Sequence, residues 1–237
     1  MNSSIPSTVG FVIPALNEES SIGRVVRGLR ERGVAHVVVA NNGSTDRTAD
    51  VAAHAGAIVV TEPERGYGAA CLRAIAALPD VVEVIGFVDG DGSDSLDDVT
   101  ALVEPILNNE ADFVIASRAR GRAEHGALTR TQQFGNLIAS QWLRHRFGLA
   151  TTDLGPFRAI RRSSYDTLGM RDRNYGWTVE MQIKAARAGL RFTEIPTDYF
   201  CRIGQSKVSG TLRGAVGAGV KIIGLLAWYD LGPGRNR

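Results

Sequence analysis

An α/β fold, built on a mostly parallel twisted sheet with helices on both faces, is predicted by three features of the 237-residue sequence. Short, continuous apolar runs rich in β-branched residues alternate with segments of helical periodicity, as expected of parallel strands buried on both faces. Polar, turn-forming loops follow those runs, and in such sheets ligands bind at the carboxyl ends of the strands. One loop is crowded with charge: Asp89, Asp91, Asp94, Asp97 and Asp98 come directly after an apolar strand.

The elements follow in order. "VGFVIP" is a first strand, and "SSIGRVVRGLRER" a helix with Ile22, Val25, Val26 and Leu29 on one face. "VAHVVVA" is a second strand. "TDRTADVAAHAG" is a helix with Thr45 or Asp46 as its N-cap and Gly56 as its stop. "AIVVTE", "GYGAACLRAIAAL" and "VIGFVD" repeat the unit. The second half is less regular: strand "ADFVIASR", long amphipathic helix "TRTQQFGNLIASQWLRHRF", strand "GPFRAIRR", helix "GWTVEMQIKAARAG" and strand "LRFTEIPTDYF". No linker, repeat or low-complexity segment separates the halves. The expectation is one domain over 1–237, with 1–117 binding nucleotide and metal and 118–237 binding the acceptor.

Net charge hides an asymmetry. Residues 1–117 carry 7 Lys/Arg against 17 Asp/Glu, a balance of −10; residues 118–237 carry 20 against 8, a balance of +12. An acidic and a basic half suit a protein that handles a metal and phosphates together. The basic half has neither zinc-finger spacing nor an aromatic RNA-binding signature, which argues against nucleic acid. Cys71 and Cys201 are too few for a disulfide framework, so a reducing cytosol is expected. The start has neither a basic leader nor a long apolar stretch, so no signal peptide is expected. Near the end, "IIGLLAWY" between Lys221 and Asp230 is far shorter than the roughly 20 residues of a spanning helix. It fits a terminal helix packed on the core, or one lying on a bilayer with Trp228 and Tyr229 at the interface.

Three chemistries compete for "DGDGSDSLDD". An EF-hand fails because Asp94 and Thr100 stand where the turn glycine and the bidentate glutamate belong. Helix capping accounts for Asp94 to Asp98, whose charges favour the positive end of the following helix. It leaves Asp89 and Asp91 unexplained. A D-x-D site does explain them: two carboxylates around Gly90 turn to a common point and hold a hard cation, Mg²⁺ or Mn²⁺, with positions left for phosphate oxygens.

In order along the chain, "VIPALNEE", "NNGSTDRT", "GFVDGDGS", "IASR" and "RIGQSK" resemble the motif series of the family-two glycosyltransferases of GT-A fold. The resemblance is nearest to the dolichyl- and polyprenyl-phosphate sugar synthases. It implies a nucleotide-diphosphate sugar donor, a divalent metal and inversion at the anomeric carbon. On that resemblance Asp89 and Asp91 hold the metal on the donor diphosphate, with Ser93 in the place of a third polar ligand. Pro14, Leu16 and Glu18 lie near base and ribose. Val39 and Asn41 belong to the second base-recognition loop, with Asn41 replacing the usual Asp, so uracil and guanine both remain open. Gly90 lets the donor approach the backbone. Arg118, Arg130 and Ser206 meet the diphosphate or the acceptor phosphate, and Arg202 and Lys207 belong to a loop closing over the donor. "GYGAAC" reads as a broken dinucleotide fingerprint and is set aside.

The acceptor is argued from chemistry. A sugar hydroxyl needs a base, which many relatives supply from a Glu-Asp pair opening a late helix. Here "TVEMQ" has Glu180 followed by Met181. A phosphate monoester is already an anion, with a second pKa near ~6, and needs none. Glu180 orients the sugar or caps its helix, Trp177 stacks on a ligand or packs in the core, and Asp153 lies in a segment, "TTDLGPFRAI", that resembles the family's loop near the acceptor or is a plain turn. The expected reaction is transfer to a polyprenyl phosphate by a cytoplasmic enzyme, peripheral at the inner face of the membrane. The alternative is transfer to a small-molecule hydroxyl.

Overall fold

The computed structural model describes residues 5–204 and 212–231. Strands β1 (Val9–Ala15), β2 (His36–Asn41), β3 (Ile58–Thr61) and β4 (Val84–Phe87) alternate with helices α1 (Ile22–Glu31), α2 (Thr48–His54) and α3 (Tyr67–Ile75). A 3₁₀ turn (Leu96–Asp98) leads into α4 (Val99–Leu107) and β5 (Phe113–Ser117). The second half adds α5 (Arg130–Phe147), β6 (Arg158–Arg161), α6 (Arg162–Leu168), α7 (Trp177–Arg187), β7 (Phe192–Pro196) and α8 (Leu212–Leu231).

All seven strands join one sheet in the order β3-β2-β1-β4-β6-β5-β7. Only β6 is antiparallel to its neighbours, entering between β4 and β5 with Arg158 opposite Phe87 and Ile160 opposite Phe113. The sheet therefore takes strands from both halves of the sequence. Successive residues of β1 alternate between its faces: Phe11 and Ile13 pack with α1 and α4, and Val12 packs with α3 and Trp177. Carboxyl ends of β1, β2 and β4 consequently open at one edge.

A third apolar cluster joins α5, α7 and α8 through Ala139, Leu143, Val179, Ile183, Leu226 and Tyr229. The C-terminal run is thus a helix docked on the core by Leu226 and Tyr229, with Trp228 at its surface. Among the described residues no helix is long and apolar enough to cross a membrane. Helix α5 is bounded by local chemistry. Thr129 and Gln132 form a reciprocal capping box, and Gly148 ends the helix at φ +71°. At α2 the first helical residue is Thr48 and the N-cap position is Arg47, not Thr45 or Asp46; Asp46 lies one residue earlier and accepts from the Thr48 N–H at 3.0 Å.

Candidate active site

The loops after β1 and β2 are stitched together. Glu18 N–H donates to Thr48 Oγ1 (2.8 Å), Asn17 N–H to Ser44 Oγ (3.0 Å), and Thr45 N–H to Asn17 Oδ1 (2.8 Å). Asn17 adopts φ +52°, a conformation Asn tolerates better than most residues. Leu16 and Pro14 are partly exposed at this rim, whereas Glu18 is buried. Val39, beside Ile13 of β1 in the sheet, is fully buried in the core, so its side chain faces no ligand; any donor contact there falls to the backbone. Asn41 spends its side-chain oxygen on Ser44 N–H (3.1 Å). The neighbouring Asn42 is the deeper group: its amide nitrogen donates to Glu62 and Glu64 carbonyls, and its oxygen accepts from Gly66 N–H (2.8 Å).

At the end of β4 the carboxylates gather. Asp91 is buried; its Oδ1 accepts from Ser93 N–H (3.0 Å) and Ser93 Oγ (2.6 Å), and its Oδ2 lies 2.6 Å from Arg202 Nη2. Ser93 therefore aims Asp91 rather than standing beside it as a ligand. Arg202 also approaches Glu18 Oε1 at 3.7 Å. Asp89 Oδ1 accepts from the Tyr67 hydroxyl at 3.0 Å. The segment 199–203 is pinned across this loop by Phe200 N–H to Ser93 O (2.8 Å) and Ile203 N–H to Asp91 O (2.9 Å).

Asp94 departs from the sequence reading that made it a helix cap. It turns inward, 5% exposed, with Oδ2 near Asp89 N–H and Oδ1 buried without a hydrogen-bond partner. Burial and the Asp91 charge raise the Asp89 carboxyl to about 7, and burial with Asp89 and Asp91 pushes Asp94 well above its ordinary range. Three crowded carboxylates and one orphaned oxygen are a surplus of negative charge that a divalent cation fits. Among the described residues no three His, Cys, Asp or Glu side chains converge as a complete metal cage. Asp89 and Asp91 are the residues that would hold such a cation, and donor phosphates would supply the remaining ligands.

Arg118, at the end of β5, is held by Asp153: Nε to Oδ2 at 2.8 Å, Nη2 to Oδ1 at 2.7 Å, and backbone N–H to Oδ2 at 2.8 Å. Burial opposes the guanidinium charge, but Asp153 outweighs it and raises the pKa further. The Arg118 guanidinium also lies over the Tyr199 ring, 5.0 Å from its centroid. Glu180 is equally committed. It accepts from Arg171 N–H (3.1 Å), Asp172 N–H (2.7 Å) and the Tyr229 hydroxyl (3.3 Å), and it pairs with Lys184 at 2.9 Å. Trp177 is 1% exposed against Phe87 and Tyr165, so it presents no face to a ligand. Arg130 is exposed at the start of α5. Ser206 and Lys207 lie outside the described residues.

Sequence reasoning passed over Tyr67, Asn42 and Arg158. Arg158 is buried, donating to the Thr178 carbonyl (3.1 Å) and the Leu154 carbonyl (2.7 Å), and burial lowers it to about 10. The glycines flanking Tyr67 carried the available signal. A Cβ on Gly68 would stand 2.0 Å from Asp172 O, and one on Gly66 would stand 2.0 Å from Arg173 O. They admit the backbone of 172–173 and so bring Tyr67 to Asp89.

Comparison with known proteins agrees with this geometry. The model of glycosyl transferase family 2 matches residues 11–169. An uncharacterized glycosyltransferase of Mycobacterium tuberculosis is 38% identical over 209 residues, covering 88% of this chain and 93% of the relative. A dolichyl-phosphate hexose transferase of Haloferax volcanii is 29% identical over 210 residues, covering 87% and 89%. Among solved structures, glucosyl-3-phosphoglycerate synthase from M. tuberculosis, in complex with Mn²⁺, UDP and glucosyl-3-phosphoglycerate, superimposes with a TM-score of 0.76. It is 22% identical and aligns over 96% of this chain and 81% of that one, a likeness of fold. The chain is a glycosyltransferase of GT-A fold and belongs to glycosyl transferase family 2.

Proposed function

We propose that the enzyme transfers a hexose from a nucleoside-diphosphate donor to a polyprenyl phosphate, with inversion. We place it in the cytoplasm, peripheral at the inner face of the membrane. The observation that carries the donor side is the carboxylate cluster at the end of β4, closed from above by Arg202. When bound by Asp89 and Asp91, Mg²⁺ or Mn²⁺ would offset the charge that builds on the departing diphosphate. The Mn²⁺ and UDP in the structurally similar M. tuberculosis synthase support this donor chemistry.

The acceptor side rests on what the two candidate bases already hold. Asp153 is locked to Arg118, and Glu180 accepts from two backbone N–H groups while paired with Lys184. Both oxygens of each carboxylate already accept hydrogen bonds within the fold, which favours an acceptor that is already anionic. A phosphate oxygen attacks the anomeric carbon on the face opposite the diphosphate. The bond from that carbon to the diphosphate oxygen breaks, and its electron pair leaves with the nucleoside diphosphate. The name of the Haloferax relative supports a dolichyl-type phosphate as the acceptor. The nucleotide half is assigned to 1–117 and the acceptor half to 118–237.

The test is a thermal-shift screen of UDP- and GDP-sugars with and without Mn²⁺, followed by transfer to detergent-solubilised polyprenyl phosphate. A metal-dependent shift and a glycosyl phosphate product are expected. Equal shifts after removal of all divalent ions, or product only with hydroxyl acceptors, overturn the proposal.

A further inference from the structure

The outer face of α5 is apolar in the middle, basic at both ends and open to solvent. Phe134, Leu137 and Ile138 are 65%, 54% and 39% exposed, although burying such side chains is ordinarily worth more than exposing them. At 100° per residue they share one stripe with Gln141, Arg130 at one end, and Arg144 and His145 at the other. Helix α5 contains no acidic residue. Arg130 and Arg144 have no hydrogen-bond or ion-pair partner among the described residues, so their charge is not cancelled locally.

The opposite face of the helix holds α5 to the body. Ala139, Ser140 and Leu143 are buried there. Asn136 donates to the Thr152 carbonyl at 3.1 Å and accepts from Leu154 N–H at 2.8 Å. Between those two residues lies Asp153, the partner of Arg118. The stripe is therefore joined through Asn136 to the loop beside the candidate acceptor site.

We infer that this face of α5 docks the enzyme on an anionic lipid bilayer, with Phe134, Leu137 and Ile138 in the acyl boundary and Arg130 and Arg144 against headgroup phosphates. Charge decides the occupant. A second copy of the chain meeting this face antiparallel would oppose Arg130 to Arg144, which repel, whereas an anionic surface complements both ends. The inference builds on the lipid-acceptor reading: a stripe seated in the bilayer would bring Arg130 to the depth at which a polyprenyl phosphate presents its headgroup.

The test is sedimentation of the whole protein with vesicles of phosphatidylcholine containing or lacking phosphatidylglycerol, without donor or acceptor. Binding is expected only with phosphatidylglycerol. Phe134→Ser/Leu137→Ser should weaken it at least about tenfold, and Arg144→Gln should weaken it severalfold and flatten its salt dependence. Both variants should keep wild-type turnover of a polyprenyl phosphate in detergent. Vesicle binding by the double variant equal to wild type overturns the inference. So does a stable dimer in solution that the double variant dissolves. Failure of the lipid-acceptor reading gives a different result: vesicle binding intact, with no glycosylated lipid phosphate in detergent or bilayer.

Discussion

Arg118 and Asp153 form a forked ion pair, two side-chain hydrogen bonds of 2.8 and 2.7 Å, with the carboxylate 1% and the guanidinium 15% exposed. A buried pair of this kind is costly to break from one side, because the surviving charge keeps its desolvation penalty. Asp153→Asn should therefore destabilise the fold by about 3 kcal/mol, measured by denaturant unfolding. Were Asp153 instead a proton acceptor in catalysis, the substitution would lower turnover by about 10²–10⁴ and erase an acidic limb of the pH–rate profile. We expect the limb to be unchanged.

Asp91→Asn tests the other pole of the site. The substitution keeps the volume and one acceptor oxygen for Ser93, so the loop should hold its shape. It removes the charge opposite Arg202 and one of the two carboxylates offered to a cation. Turnover should fall at least about 10²-fold, with circular dichroism unchanged and Mn²⁺ no longer raising the affinity for donor. Activity that persists in EDTA, in variant or wild type, contradicts the assignment.

Away from the site, Asp112 predicts how the fold responds to acid. Hydrogen bonding to Arg191, reinforced by Arg161, holds its carboxyl at about 2. A pKa lowered in the folded state gives stability that is present above the unfolded value, near 3.8, and is lost as pH falls through the folded value. Unfolding free energy should therefore decline between about pH 4 and pH 2. Asp112→Asn should flatten that decline, read from denaturant curves at several pH values, while leaving the neutral-pH fold in place.

The parts of this enzyme that were legible in the sequence are those with a local signature. Periodicity placed the seven strands and the longer helices but passed over the short α6, whose seven residues directly after β6 carry little periodic signal; "GFVDGDGS" marked the strand end where the carboxylates gather. Contacts made by distant segments were not legible. Asp94 has the composition of a cap, yet the chain at 199–203 pairs with the 89–94 loop and leaves Asp94 facing inward. Glu180 and Asp153 look like catalytic carboxylates until Lys184, Tyr229 and Arg118 are seen to occupy them. Trp177 looks like a stacking platform, but the antiparallel entry of β6 and the packing of α7 bury it against Phe87. Tyr67 reaches Asp89 only because two glycines let a loop more than 100 residues later press against α3.

Arg130 brings acceptor and donor into a single comparison. It opens α5 just after the Thr129 capping box, so its backbone is fixed while its side chain is exposed. The residues we propose for the donor cluster instead at the ends of β1, β2 and β4, around Arg202. A cationic hydrogen bond to a phosphate is worth about 1.5–3 kcal/mol, so Arg130→Ala should raise KM for a short-chain polyprenyl phosphate about tenfold or more. KM for the sugar nucleotide should stay near wild type. Measuring both in detergent removes any contribution of the bilayer to the acceptor term. Equal losses for donor and acceptor would mean that Arg130 serves the diphosphate, and the separate phosphate site at the head of α5 would have to be abandoned.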